Sequence, residues 1–123
     1  EIGASFRSEA TAPTVLLNVS NIAWFGDTVA IDQHLAISRM RALEFARPML
    51  RATNTGATVA IDHRGRVTHA QPRLTRGVLE AEVEGRNGLT PYARWVALLG
   101  LAPLWIVALA CAIGFVVLHC SKR

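Results

Sequence analysis

The apolar and polar positions divide the chain into a mixed region and a long apolar stretch near its carboxyl end. Residues 95–118 contain no Asp, Glu, Lys or Arg, and about 20 such residues are enough for a helix to cross a bilayer. We therefore expect a transmembrane helix over residues 95–118. The same pattern predicts an external domain over residues 1–94 and a basic tail over residues 119–123.

Short apolar runs within the external region predict β-strands. Residues 14–19 carry a short, nearly continuous apolar run, Val15, Leu16 and Leu17 with Val19, which is typical of a strand buried on both faces. Further strands are expected over residues 51–61, 67–71 and 77–83, of which the last alternates apolar residues with glutamates. Gly65 lies between two of these segments and can supply the positive φ that a tight turn needs.

A helical pattern follows the first strand. Asp32 is a suitable N-cap, and the helix is expected to end near residue 47 because Pro48 cannot continue it. Small residues dominate one face, which suits close packing on a sheet. Arg41 and Glu44 are three residues apart and can form an ion pair. A short helix is also predicted within residues 1–12, ending before Pro13.

The segment between the first strand and this helix reads Ser-Asn-Ile-Ala-Trp-Phe-Gly-Asp, residues 20–27, and is named the aromatic loop here. Loops are normally polar, so Trp24 and Phe25 either line a pocket or apolar surface, or fold back as core anchors. Ligands of layered α/β folds collect outside the carboxyl ends of strands, which makes residues 20–25 a candidate site edge. His34 follows nearby, as a cap, a core group or a functional group.

Composition narrows the function classes. The net charge of +4 is mild and includes Lys122 and Arg123 at the carboxyl end. No basic stripe with interleaved aromatics is present, which argues against nucleic acid as a partner. Cys111 and Cys120 lie within or at the end of the apolar stretch, where they are expected to be small apolar fillers. No ligand set at metal spacing accompanies His34, so neither a metal nor a cofactor is predicted.

Three segments taken together resemble the carboxy-terminal part of bacterial apolipoprotein N-acyltransferases, membrane enzymes with a nitrilase-like domain. They are SNIAWFGD, QHLAISRMRALEFARPMLRATNTG and GLTPYARW, in that order. The resemblance implies an α/β fold: part of a nitrilase-like αββα sandwich, followed by one transmembrane helix. One departure is Ile22, which occupies a position where the family usually has an acidic residue.

The resemblance also implies a reaction and its partners. In the family a Cys attacks an acyl ester of a phospholipid, a Glu takes its proton and a Lys stabilises the oxyanion. The N-terminal amine of a diacylglyceryl-cysteine lipoprotein then takes the acyl chain. Glu1 matches the Glu that follows that Cys, so the chain is expected to be a fragment that lacks the nucleophile and is inactive alone. The catalytic domain is expected in the periplasm, attached to the inner membrane.

Individual residues carry further expectations, from their place at the strand end and beside the aromatic loop or from the resemblance. The candidate substrate-binding residues are Ser20, Asn21, Trp24, Phe25 and His34. Structural roles are expected for Arg41 and Glu44, which match an Arg-Ala-x-Glu pattern, and for Asn54 and Gly56, which match an Asn-x-Gly pattern at the start of a strand. Two alternative functions stay open: a membrane-tethered nitrilase-like amidase and a non-enzymatic, tail-anchored module.

Overall fold

A computed structural model describes residues 2–120, without the side chains of residues 116–118 and 120. The described residues do not include Glu1, which was expected beside the nucleophile, or Lys122 and Arg123 of the expected basic tail. The fold is mixed α/β, with one four-stranded sheet. Its strands are β1 (Leu16–Ser20), β2 (Met49–Thr53), β3 (Val59–Ile61) and β4 (Val67–Ala70), and its helices are α1 (Val29–Phe45), α2 (Pro91–Leu98) and α3 (Ala102–Cys120).

The sheet has the order β1-β2-β3-β4. β1 and β2 are parallel and are connected through α1, whereas β2, β3 and β4 are antiparallel neighbours. A parallel pair needs a long crossover, which α1 provides. The parallel register pairs Ser20 with Thr53. The crossover therefore brings the end of β1, where the aromatic loop begins, beside the end of β2.

The core lies between one face of the sheet and α1. Phe6, from a 3₁₀ helix over Ile2–Phe6, stacks on Phe45 with ring centroids 4.4 Å apart, and Tyr92 of α2 meets Phe45 edge-on at 5.7 Å. Leu17, on the opposite face of the sheet, is 72% exposed, and Val19 is similarly exposed. The described residues thus form two layers of a domain, and the expected αββα sandwich remains a prediction.

The ends of α1 differ from the sequence expectation. The helix begins after Thr28 rather than after Asp32, which lies in its first turn where a carboxylate interacts favourably with the helix dipole. At the other end Ala46 adopts φ 48°, and the N–H groups of Ala46 and Arg47 bond to the carbonyls of Leu43 and Ala42. This left-handed cap, two residues before Pro48, ends the helix at Phe45.

Two of the predicted strands were wrong, one in its extent and one in its existence. Residues 51–61 form two antiparallel strands rather than one, because residues 54–58 turn the chain back: Thr58 Oγ1 both accepts from the Thr53 N–H and donates to the Thr53 carbonyl, at 3.2 Å each. Asn54 and Gly56 therefore lie in a turn and not at a strand entry. Residues 77–83 form no strand ladder with the other described residues. The prediction failed because an alternating pattern indicates exposure on one side but does not supply a partner strand.

Other local predictions have clear outcomes. The hairpin turn at Gly65 is confirmed, with φ 72°, and leads into β4. The predicted helix within residues 1–12 is two short 3₁₀ helices, Ile2–Phe6 and Glu9–Thr11. The first strand is confirmed with its bounds moved slightly along the chain, to Leu16–Ser20.

The apolar stretch is not one helix. Gly100, at φ 53°, breaks it after α2, and Pro103 at the start of α3 has no N–H to donate back to the preceding turn. In the described part of the chain, no single helix has both the length and the hydropathy of a membrane span. The pair Pro91–Leu98 and Ala102–Phe115, bent by 71°, meets both requirements together by length and composition.

Candidate functional site

The base of the aromatic loop is held by two asparagine side chains. Asn54 Nδ2 donates to Asn21 Oδ1 at 2.8 Å, and Asn54 Oδ1 accepts from the Ile22 N–H at 3.2 Å and from the Thr55 N–H at 3.0 Å. Asn21 Oδ1 also accepts from the Ala23 N–H at 3.2 Å. This network joins the loop to the turn after β2, so the structure brings the predicted site residue Asn21 against the predicted structural residue Asn54.

The tip of the loop presents two aromatic rings to the outside. Trp24 is 81% exposed and Phe25 is 47% exposed, although Trp24 Nε1 donates to the Asn21 carbonyl at 3.2 Å. Among the described residues, these rings therefore do not fold back as core anchors. Gly26 follows at φ 57° and ψ −158°, a region that is essentially restricted to glycine. The glycine is needed to turn the chain from the exposed rings into α1.

Ile22 lies under the loop and not at its tip. Its side chain is only 2% exposed and belongs to the core cluster. A Cβ atom on Gly56 would overlap Ile22 Cδ1, so the absence of a side chain at Gly56 is what makes room for Ile22. Ile22 therefore adds apolar volume to the floor of the loop and not to its tip.

Three hydroxyl groups lie close to this floor without partners. Ser20 Oγ, Thr53 Oγ1 and Thr55 Oγ1 are buried and make no hydrogen bond to the described residues. Ser20 and Thr53 are register partners at the carboxyl ends of β1 and β2, where ligands of α/β sheets usually bind. Buried polar groups without partners are uncommon in folded proteins. This edge of the sheet therefore has unused hydrogen-bonding capacity beside the aromatic loop.

His34 connects the loop to the body of the domain. Its ring lies 5.6 Å from the Phe25 ring at a tilt of 42°, and its carbonyl accepts from Arg51 Nη1 at 2.8 Å and from Ser38 Oγ at 3.1 Å. Burial lowers the pKa of the Arg51 guanidinium from its usual value. Sequence reasoning missed Arg51. The signal that could have found it is the alternation of the strand, which places Arg51 on the same face as Met49 and Thr53, towards α1.

The predicted Arg41–Glu44 pair forms at the far end of α1. Arg41 Nη2 lies 2.9 Å from the Glu44 carboxylate, and both side chains are half-buried. The Glu44 carbonyl accepts from Thr90 Oγ1 at 2.5 Å, and Thr90 in turn caps α2 by accepting from the Ala93 N–H. The pair thus stands beside the attachment of α2, at the opposite end of α1 from the aromatic loop.

Taken together, the arrangement can bind but carries little reactive chemistry. The loop offers two rings, amide groups and hydroxyl groups, and its one carboxylate, Asp27, is exposed. Among residues 2–120, no group of three or more His, Cys, Asp or Glu side chains is arranged to hold a metal ion. These groups suit an apolar ligand with a polar part, held outside the strand ends.

Comparison with known proteins agrees with this architecture. The carbon-nitrogen hydrolase family matches residues 9–92. The chain is 64% identical over 108 residues to an apolipoprotein N-acyltransferase of Verminephrobacter eiseniae, covering 82% of this chain and 20% of that protein. The corresponding enzyme of Ralstonia nicotianae is 58% identical over 94 residues, covering 76% and 18%, and that of Vibrio cholerae is 46% identical over 111 residues, covering 89% and 21%. The chain spans about a fifth of the length of these relatives. By the family match, which includes the aromatic loop, α1 and the whole sheet, the chain belongs to the carbon-nitrogen hydrolase family.

Proposed function

We propose that the chain is the carboxy-terminal part of an apolipoprotein N-acyltransferase, which moves an acyl chain from a phospholipid to the N-terminal diacylglyceryl-cysteine of a lipoprotein. The similarity to enzymes of that name supports the class of reaction. The structural observation that carries the proposal is the aromatic loop, which has two exposed rings on a base fixed by Asn21 and Asn54.

The two substrates of such a reaction share one shape. Each has acyl chains that prefer the membrane and a polar head that prefers water, and the reacting carbonyl lies between them. A loop that meets them needs an apolar tip for the chains and polar groups at its base for the head. In the proposed complex Trp24 and Phe25 contact the chains, and Ser20 and Asn21 lie towards the head. His34 supports Phe25 from behind.

The bond-making groups come from elsewhere in the full-length protein under this proposal. The only cysteines of the chain, Cys111 and Cys120, lie within or at the end of the apolar stretch, and its only lysine is Lys122. A Glu takes the proton of the Cys thiol, the resulting thiolate attacks the phospholipid ester, and the lysophospholipid leaves with that proton as the thioester forms. The lipoprotein amine then attacks the thioester and releases the Cys. The chain alone is accordingly expected to be inactive.

The bent pair of apolar helices supports attachment to the inner membrane. Tyr92 and Trp95 stand at the start of this pair, where aromatic residues are enriched at membrane interfaces. We place the external domain in the periplasm and the carboxyl end in the cytoplasm. The aromatic loop would then face substrates embedded in the outer leaflet of that membrane.

The test uses full-length enzyme carrying Trp24→Ala. A ring contact covering about 100 Å² contributes about 2.5 kcal/mol, so kcat/KM for both half-reactions is expected to fall between about tenfold and a hundredfold. Thioester formation and acyl transfer are measured separately, with Trp24→Phe as the ring-retaining variant. Ile37→Ala, an exposed apolar residue on α1, is the matched control. Wild-type rates for Trp24→Ala would show that the Trp24 ring does not contact the substrates and would contradict the proposed site.

A further inference from the structure

A buried arginine lies between the sheet and α1. Arg51 is 2% exposed and lies on β2, which is flanked by β1 and β3. Its Nη1 donates to the His34 carbonyl at 2.8 Å and to Ser38 Oγ at 2.5 Å. Ser38 Oγ itself donates to the same carbonyl at 3.1 Å. One nitrogen of the guanidinium therefore bonds to two groups within a single turn of the helix.

The rest of this guanidinium is not used by the described residues. Arg51 Nε and Nη2 are buried and have no hydrogen-bond partner among residues 2–120, and no described carboxylate lies within 4.0 Å of the side chain. A buried cation without a carboxylate is costly, and an apolar side chain of similar size would fill the same space at lower cost. Packing alone is therefore a poor explanation for an arginine at this position.

The bonded turn of α1 is the one that supports the aromatic loop. The His34 ring lies against Phe25 at 5.6 Å, and Phe25 is the neighbour of the exposed Trp24. A continuous line of contacts runs from β2 through Arg51 to the His34 backbone, and from the His34 ring to Phe25. The two asparagines hold the base of the loop, and this line joins the sheet and α1 to the Phe25 ring at its tip.

We propose that Arg51 is a positioning residue for the aromatic loop. It contacts no substrate; by holding the His34 carbonyl against the sheet it sets where the His34 ring stands, and hence the direction of Phe25 and Trp24. The inference rests on the proposed function for its effect on substrate, because a misdirected loop would bind the acyl chains poorly. Its effect on the order of the loop does not depend on any activity.

The experiment compares Arg51→Met and Arg51→Lys in the full-length enzyme, with Ser38→Ala as a milder variant that removes only one acceptor. The control is Arg39→Met, since Arg39 is an exposed arginine of α1 that bonds to the Gly65 carbonyl at 2.7 Å, away from the loop. Hydrogen exchange is measured for amides 22–29 and, as an internal reference, for amides of β2 and β3. KM and kcat for phospholipid are measured alongside.

For Arg51→Met we expect exchange of amides 22–29 to rise about tenfold, as loss of a charged hydrogen bond implies. Exchange in β2 and β3 should stay close to wild type, and KM should rise more than kcat falls. Arg51→Lys should recover part of both effects because an ammonium can still donate to the His34 carbonyl. Ser38→Ala should show a smaller rise in loop exchange.

Two results would overturn the inference. Wild-type exchange in the loop would show that Arg51 does not position it, and a uniform rise through β2 and β3 in both Arg51→Met and Ser38→Ala would reduce Arg51 to a structural role. A raised loop exchange with unchanged KM would support the positioning and instead overturn the proposed function of the loop.

Discussion

The contact between Gly56 and Ile22 gives a sharp prediction. A Cβ atom at Gly56 would overlap Ile22 Cδ1 and would lie 3.0 Å from Ile22 Cγ1 and 3.2 Å from Thr53 Oγ1. Ile22 is buried and cannot move its methyl group into solvent. Gly56→Ala should therefore overpack the floor of the aromatic loop, at a cost of about 1–3 kcal/mol.

A second substitution isolates the cause. Ile22→Val removes only the Cδ1 methyl group and by itself should cost about 0.5–1.5 kcal/mol. In the double variant the alanine Cβ occupies the space that this methyl group left. We expect the two effects to be strongly non-additive, with the double variant more stable than the sum predicts by about 1 kcal/mol or more.

The assay is thermal unfolding of the full-length protein in detergent, where 1 kcal/mol corresponds to about 2–4 °C for a domain of ordinary size. Gly26→Ala is the contrasting variant, because a Cβ there meets no atom within 4 Å and any loss comes from backbone strain alone. Ile22→Val should not relieve that loss. Additive effects of Gly56→Ala and Ile22→Val within about 0.5 kcal/mol would refute the proposed packing of the loop floor.

Three further predictions concern other parts of the chain. Arg47 is buried and donates to the Pro13 carbonyl at 2.7 Å and the Gly88 carbonyl at 2.5 Å. Arg47→Met should lower the free energy of unfolding by about 3 kcal/mol in the same assay. Arg73→Met, which breaks an exposed ion pair with Asp32, should lower it by less than about 1 kcal/mol. Burial raises the pKa of Asp62, but hydrogen bonds from the Arg66 and Arg64 N–H groups lower it by more, so the net shift is downward. The stabilisation is therefore present above the unfolded pKa of about 3.9 and is lost as pH falls through the lower folded value. The difference in stability between wild type and Asp62→Asn should shrink as pH falls, and a constant difference would refute this. A thiol introduced at the carboxyl end should not react with a membrane-impermeant reagent in intact cells, because that end is proposed to lie in the cytoplasm. Labelling of this thiol would contradict the proposed orientation.

Local patterns predicted those elements whose signals are local. The apolar run of β1 and the turn at Gly65 each depend on residues adjacent in sequence, and each is present in the structure. Pro48 placed the end of α1 to within two residues of its last residue, Phe45. The end of the apolar helix after Leu98 was also encoded locally, by Gly100 and Pro103. The unbroken apolar pattern outweighed these two residues in the sequence-based prediction.

What sequence reasoning missed depends on contacts between distant segments. Asn54 bonds to Asn21 across 33 residues, and Gly56 is small because Ile22 lies above it. Neither relation has a periodic signature. Arg51 was predicted only as a strand residue. Alternation assigns a side chain to one face of a strand, but it does not predict that a buried arginine donates to the carbonyl of a helix residue.

The last prediction concerns the acid that the resemblance leads one to expect at position 22. Ile22 and Thr53 Oγ1 both approach the point where a Gly56 Cβ would lie, and Thr53 Oγ1 has no partner among residues 2–120. A carboxylate at position 22 would find this hydroxyl as a donor, which offsets part of the cost of burying it. Ile22→Asp should therefore keep the fold of the full-length enzyme and leave acyl transfer unchanged or faster. The same substitution together with Thr53→Val should be much less stable than either single variant predicts. Equal stability of Ile22→Asp with and without Thr53→Val would show that the hydroxyl does not serve the acid.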